Sequence, residues 1–184
     1  MRPAIVGGDA PEAPFPAYLR GTVEAGFGRG SKQLNCPTAN LPTRTLTEAA
    51  DPAHHLTRTG VYFGWAQVRV DTGSEPFSAA DADVYPMVMS VGWNPQFQNQ
   101  EQSVEVHIMH PYPADFYGHD MRVVVLGYIR PEQTYESMGA LRCVRADADA
   151  LMADIDTDKR VGLASLQRPA YAKYKADPVF SQAT

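Results

Sequence analysis

The sequence predicts a mainly β domain, an antiparallel barrel or sandwich, with a helical segment after it. Two observations carry this. Several short runs of β-forming residues follow one another, separated by turn signals and with no helical pattern between them. Beyond Pro131 the apolar spacing changes to a helical one. The 184 residues suit one domain, long enough to bury a real core.

Residues 1–15 are rich in Pro, Gly and Ala and read as a flexible N-terminal arm. YLRGTVEA (18–25) reads as the first strand and is broken by the glycine run Gly26-Phe27-Gly28-Arg29-Gly30-Ser31-Lys32. Residues 42–59 are polar and turn-rich, a long connection. GVYFGWAQVRV (60–70) is dense in β-formers, and its two glycines predict a tight bend or a close backbone contact. Residues 71–85 read as a hairpin insertion without a motif of its own, and 87–92 as the next strand. Between Ser103 and His110 the alternation is clean: Val104, Val106 and Ile108 share one face, Ser103, Glu105 and His107 the other. MRVVVLGYI (121–129) is a strongly apolar strand ended by Pro131. Met138, Leu141, Val144, Leu151 and Ile155 then fit helical spacing, with Asp147 as a cap between two helical pieces. The residues past Gln167 show little periodicity. The boundaries are an arm over 1–15, a domain over 16–165 (barrel about 16–132, helical segment about 133–165) and a tail over 166–184.

Composition excludes several classes. A net charge of −5 without a basic run argues against nucleic acid as a main partner. The two cysteines, Cys36 and Cys143, form no short-spaced pair, which predicts free thiols in a reducing compartment. The N-terminus lacks the pattern of a secretory signal, and no apolar stretch approaches membrane-spanning length. The expectation is a soluble cytoplasmic protein, a monomer, with no membrane partner.

Three groups of residues invite chemistry. The glycine run is either a tight turn or a cationic flap whose N–H groups, with Arg29 and Lys32, meet phosphate oxygens; it has neither the spacing of a Walker loop nor a dinucleotide fingerprint. Thr38 and Asn40 in Pro37-Thr38-Ala39-Asn40 would share a face in extended backbone and offer two hard oxygens to one cation; a local turn is the plainer alternative. Glu105, mid-strand where glutamate is disfavoured, is either solvent-facing or a general base looking into a cleft, with His107 on its face. His107 and His110 are three apart on a strand and point to opposite faces, which argues against a shared zinc; His54, His55 and His119 are expected exposed.

RGTVEAGFGRGSKQLNCPTANLP, TGVYFGWAQV, MVMSVGWNP, SVEVHIMHPYPADFYG and VVVLGYIRPEQTYESMGAL, in this order over about residues 18–145, resemble the blocks of the riboflavin kinases, in their monofunctional eukaryotic form. The resemblance implies a six-stranded antiparallel Greek-key β-barrel with a C-terminal helical segment. It implies transfer of the ATP γ-phosphate to riboflavin, giving FMN and ADP. Gly26, Lys32, Thr38, Ile108, His110 and Tyr117 then match ATP-contacting positions. Thr38 and Asn40 match the ligands of magnesium, with zinc or manganese as substitutes. Glu105 matches the catalytic base, and Arg130, Gln133 and Tyr135 match flavin-binding positions. Asn35 stands where the family usually has glycine, and Gln133 where some relatives carry lysine. A non-catalytic flavin- or nucleotide-binding barrel is the alternative reading.

Overall fold

The computed structural model describes residues 3–25, 38–48, 54–73, 75–93, 102–132 and 144–182. Six strands form one antiparallel sheet: β1 (Ala17–Thr22), β2 (Ala39–Leu41), β3 (Gly60–Val68), β4 (Tyr85–Trp93), β5 (Gln102–Ile108) and β6 (Asp120–Arg130). Their order across the sheet is β1-β6-β3-β4-β5-β2. The edges β1 and β2 are brought together just past β1, where Glu24 N–H donates to the Asn40 carbonyl at 2.9 Å. This rolls the sheet into the expected barrel. The first strand ends at Thr22, where its partner β6 begins at Asp120; Val23 still bonds to the preceding turn at His119 and Gly118, and Glu24 then makes the bridge to Asn40.

Alternation gives the barrel its interior. Leu19, Tyr62, Met89, Val104, Val106 and Val123 all face one core. Strand β3 is buried along nearly its whole length because its other face is covered too. Phe63 and Trp65, with Val124 and Leu126 of β6, form a second core with Leu166, Tyr171 and Phe180. The predicted close contact in β3 is at Gly64, where a Cβ would lie 2.0 Å from the Val124 carbonyl oxygen, at a shift in the β3–β6 register.

Over its described residues the helical segment is one helix, α1 (Val144–Leu166), which runs through Asp147 without a break. Its sequence holds no proline and a single glycine to break it. That glycine, Gly162, sets the packing distance: a Cβ there would lie 3.3 Å from Phe63 Cβ and 3.3 Å from Val88 Cγ1.

Residues of the N-terminal arm and of the tail clasp each other and the sheet. Val6 N–H donates to Ser165 Oγ at 3.0 Å, Arg168 donates to the carbonyls of Val6 (2.6 Å) and Gly8 (2.6 Å), and Tyr171 Oη donates to Gly8 O at 3.0 Å. The tail continues as a helical turn, Pro169–Ala172, and 3₁₀ turns at Lys173–Ala176 and Pro178–Phe180. Each is too short to show a period, and their apolar partners come from the distant β3 and β6. The fully buried Arg122 pins the end, donating through Nη1 to Val179 O and Gln182 O at 2.7 Å each. The three histidines expected to be exposed, His54, His55 and His119, are each only partly so: His54 Nδ1 lies 3.1 Å from Pro14 O, and His119 Nδ1 lies 3.2 Å from Arg69 O with its ring edge-on to Phe77.

Candidate active site

Glu105 lies in β5 opposite Asn40 of β2 on one side and Ser90 of β4 on the other. Its neighbours Val104 and Val106 face the barrel core, so alternation puts Glu105 and the side chains of these cross-strand partners on the outer face. Burial pushes the Glu105 carboxyl above the usual glutamate range, and hydrogen bonds from the Ser103 and Thr38 hydroxyls partly oppose it. Thr38 is therefore in direct contact with Glu105, and Asn40, two residues on, is its register partner.

A second carboxylate approaches from just beyond β6. Glu132 rests on Gly92, where a Cβ would lie 1.9 Å from its Oε1. Its carboxyl is also raised, by burial first and then by the negative charge of Glu105, with Arg130 opposing. Sequence reasoning passed over Glu132; the missed signal was its place two residues after Arg130, inside a block already noted as family-like.

A groove of about 710 Å³ opens beside this face at the end of β5. One wall is the chain from Met109 to Tyr117; Thr38, His107 and Ile108 supply the floor, and Lys159 and Leu163 of α1 the opposite side. Four residues matched to ATP contacts, Thr38, Ile108, His110 and Tyr117, thus line one cavity. Ile108 faces the barrel core and still reaches the groove because it ends its strand. Tyr117 is exposed, and the buried hydroxyl of Tyr112 has no hydrogen-bond partner among the described residues. Arg130 is held elsewhere: its Nε lies 3.1 and 3.0 Å from the two oxygens of Asp158, and its Nη2 2.8 Å from Oδ2. Gly26, Lys32, Gln133 and Tyr135 lie outside the described residues, as do Asn35, Cys36 and Cys143. Among the described residues no group of three His, Cys, Asp or Glu is placed to hold a metal ion.

The sequence matches the family model described as Flavokinase: Riboflavin kinase over residues 13–165. The chain belongs to the riboflavin kinase family. It is 44% identical to the riboflavin kinase of Pyricularia oryzae over 92% of this chain and 81% of that protein. It is 39% identical to the human riboflavin kinase over 90% of this chain and 91% of that one. The crystal structure of riboflavin kinase from Trypanosoma brucei superposes with a TM-score of 0.59 at 25% identity, covering 91% and 90% of the two chains. Riboflavin kinase activity follows from this membership, with riboflavin and ATP as the substrates of the family. No described helix is long and apolar enough to cross a membrane.

Proposed function

We propose that this riboflavin kinase transfers the γ-phosphate of ATP to the 5′-hydroxyl of riboflavin with Glu105 as general base. The observation that carries this is the Glu105 carboxylate, half-buried, hydrogen-bonded by Thr38, and next to a groove that Thr38 also lines. Phosphoryl transfer depends on positioning and charge neutralisation more than on covalent help from the protein. The ribityl hydroxyl gives its proton to Glu105 as its oxygen bonds to phosphorus, and ADP leaves with the electrons of the broken P–O bond. A raised pKa brings the base nearer to the operating pH, which favours proton acceptance in the transition state.

Thr38 and Asn40 would hold a divalent ion, magnesium or its substitutes zinc or manganese. The donors fit: a hydroxyl that bonds Glu105, the amide oxygen of its register partner and the carboxylate itself suit a small hard cation that keeps most of its water and phosphate ligands. When bound, that ion supplies neutralisation of the phosphate charge. Tyr117 and His110 border the nucleotide, and Arg130 the flavin. A cytoplasmic monomer without nucleic-acid or membrane partners belongs to the same reading. The non-catalytic binding barrel is disfavoured by the kinase relatives and by the contact between Glu105 and Thr38.

The test is FMN formation by purified protein with riboflavin, ATP and varied divalent metal, separated chromatographically. Glu105→Gln lowers kcat by about 10²–10⁴-fold. Turnover near wild type would reject Glu105 as the base. Thr38→Ala and Asn40→Ala raise the metal concentration needed for half-maximal rate, and an unchanged metal dependence would reject that pair as ligands.

A further inference from the structure

The stretch 71–85 runs between β3 and the first residue of β4; its described residues line no part of the groove and are mostly exposed. Asp81 is the exception, at 5% exposure. It sits in a 3₁₀ turn, Ala79–Ala82, capped by Ser78. Its Oδ2 accepts from the backbone N–H and the hydroxyl of Ser78, both at 2.7 Å, and its Oδ1 accepts from His110 Nε2 at 2.8 Å. These bonds, that from His110 foremost, hold the Asp81 carboxyl at about 2. A carboxylate is buried in a surface connection only at a penalty its partners must offset; the two bonds from Ser78 are those of the turn's own capping box, and the bond from His110 is the one that reaches beyond the turn.

The turn is tied to the barrel from two sides. Gln67 Nε2 donates to Ala82 O at 2.8 Å, and Tyr85 Oη donates to Ala80 O at 2.8 Å. The ring of Tyr85 also stacks on the His110 imidazole at 4.0 Å, with planes 13° apart, and Tyr112 meets that imidazole edge-on at 4.7 Å. His110 is thus gripped by Asp81, Tyr85 and Tyr112. It stands where β5 gives way to the groove wall: Met109 N–H still donates to Pro86 O at 2.8 Å, while Tyr112 N–H already donates back to His110 O at 3.1 Å. The direction in which the chain leaves the sheet is set at this residue.

We propose that Asp81 is a positioning residue for the nucleotide: through His110 it holds the 109–117 wall in the shape that receives ATP. This gives the 71–85 connection a role in substrate binding although it touches no substrate. The inference rests on the groove being the nucleotide site, as in the proposed function.

The experiment uses the full chain and varies ATP and riboflavin independently. Asp81→Ala raises KM for ATP by about tenfold or more, the usual loss for a hydrogen bond to a charged group, while kcat and KM for riboflavin stay near wild type. Asp81→Asn keeps an acceptor for His110 but loses the charge, so its KM for ATP falls between wild type and Asp81→Ala. A merely structural role would lower thermal stability without separating the two KM values; that result, or an unchanged KM for ATP, overturns the proposal. Should Asp81→Ala fail to fold, Asp81→Asn decides: a KM for ATP equal to wild type overturns the proposal. His110→Ala separates the two readings. If it leaves KM for ATP unchanged, the groove is not the nucleotide site and the proposed function fails there. If it raises KM for ATP and Asp81→Ala does not, only the role of Asp81 fails.

Discussion

Asp158→Ala tests how α1 is locked to the end of β6. In the structure Arg130 reaches Asp158 through Nε at 3.1 and 3.0 Å and through Nη2 at 2.8 Å, a two-pronged contact. The side chains are only 12% and 3% exposed, so solvent screens the pair little. Among the described residues Arg130 also donates through Nη1 to Pro131 O at 3.1 Å and lies near the exposed Glu132, neither of which replaces the two-pronged contact with a buried carboxylate. Removing one partner of a buried pair leaves the other charge uncompensated, which costs about 3–5 kcal/mol. For a domain of this size each kcal/mol moves Tm by about 2–4 °C, so the expected fall is about 6–20 °C. Thermal unfolding followed by circular dichroism reads it directly. Arg130→Met in the Asp158→Ala background should recover part of the loss, because no orphaned charge remains. A fall in Asp158→Ala below about 2 °C would refute the claim that this pair is desolvated and holds the helix. Arg130 is also matched to the flavin, so KM for riboflavin should rise in the same variant.

Glu105 and Glu132 yield a prediction about pH. Both carboxyls are raised, but Glu132 is largely exposed, so it is at Glu105 that burial makes the folded state favour the protonated form and penalises ionisation at neutral pH. That penalty is present above the raised pKa and disappears as pH falls through it. Glu105→Gln should therefore raise Tm at neutral pH while lowering turnover, and the gain should shrink as the pH approaches the ordinary glutamate range. It should also lower the titration point of Glu132, read by carboxyl carbon NMR, because a like charge is gone; an unmoved Glu132 would show that the two carboxylates do not interact. At Gly162 the helix and sheet are already in contact, so Gly162→Val should cost about 1–3 kcal/mol by overpacking against Phe63 and Val88, measured by urea denaturation. A neutral result there would mean that α1 can move away from the sheet freely.

Much of the site was legible because it rests on short-range periodicity. The alternation of Val104, Val106 and Ile108 put Glu105 on the opposite face, and Asn40 lies in the strand paired with it. Strand β2 itself, three residues long, shows no period to read, and exists because β5 and Glu24 offer it partners. Asp81 had a local signal only for its turn, the Ser78-x-x-Asp81 capping box; its link to the groove wall depends on His110, 29 positions away. Glu132 was hidden for the same reason, since what marks it is the nearness of Glu105 across the sheet.

The sequence by itself determined the β-then-helix order, the family, and which face of β5 carries the carboxylate, because strand alternation and ordered motif blocks are properties of neighbouring residues. Tertiary structure decided what those blocks stand beside. It joined arm to tail through Ser165, Arg168 and Tyr171, covered the outer face of β3, drew Thr38 onto Glu105, and set Asp81 against His110. Each of these contacts pairs groups far apart in the chain, and their worth comes from excluding water from partners that no local pattern can reveal.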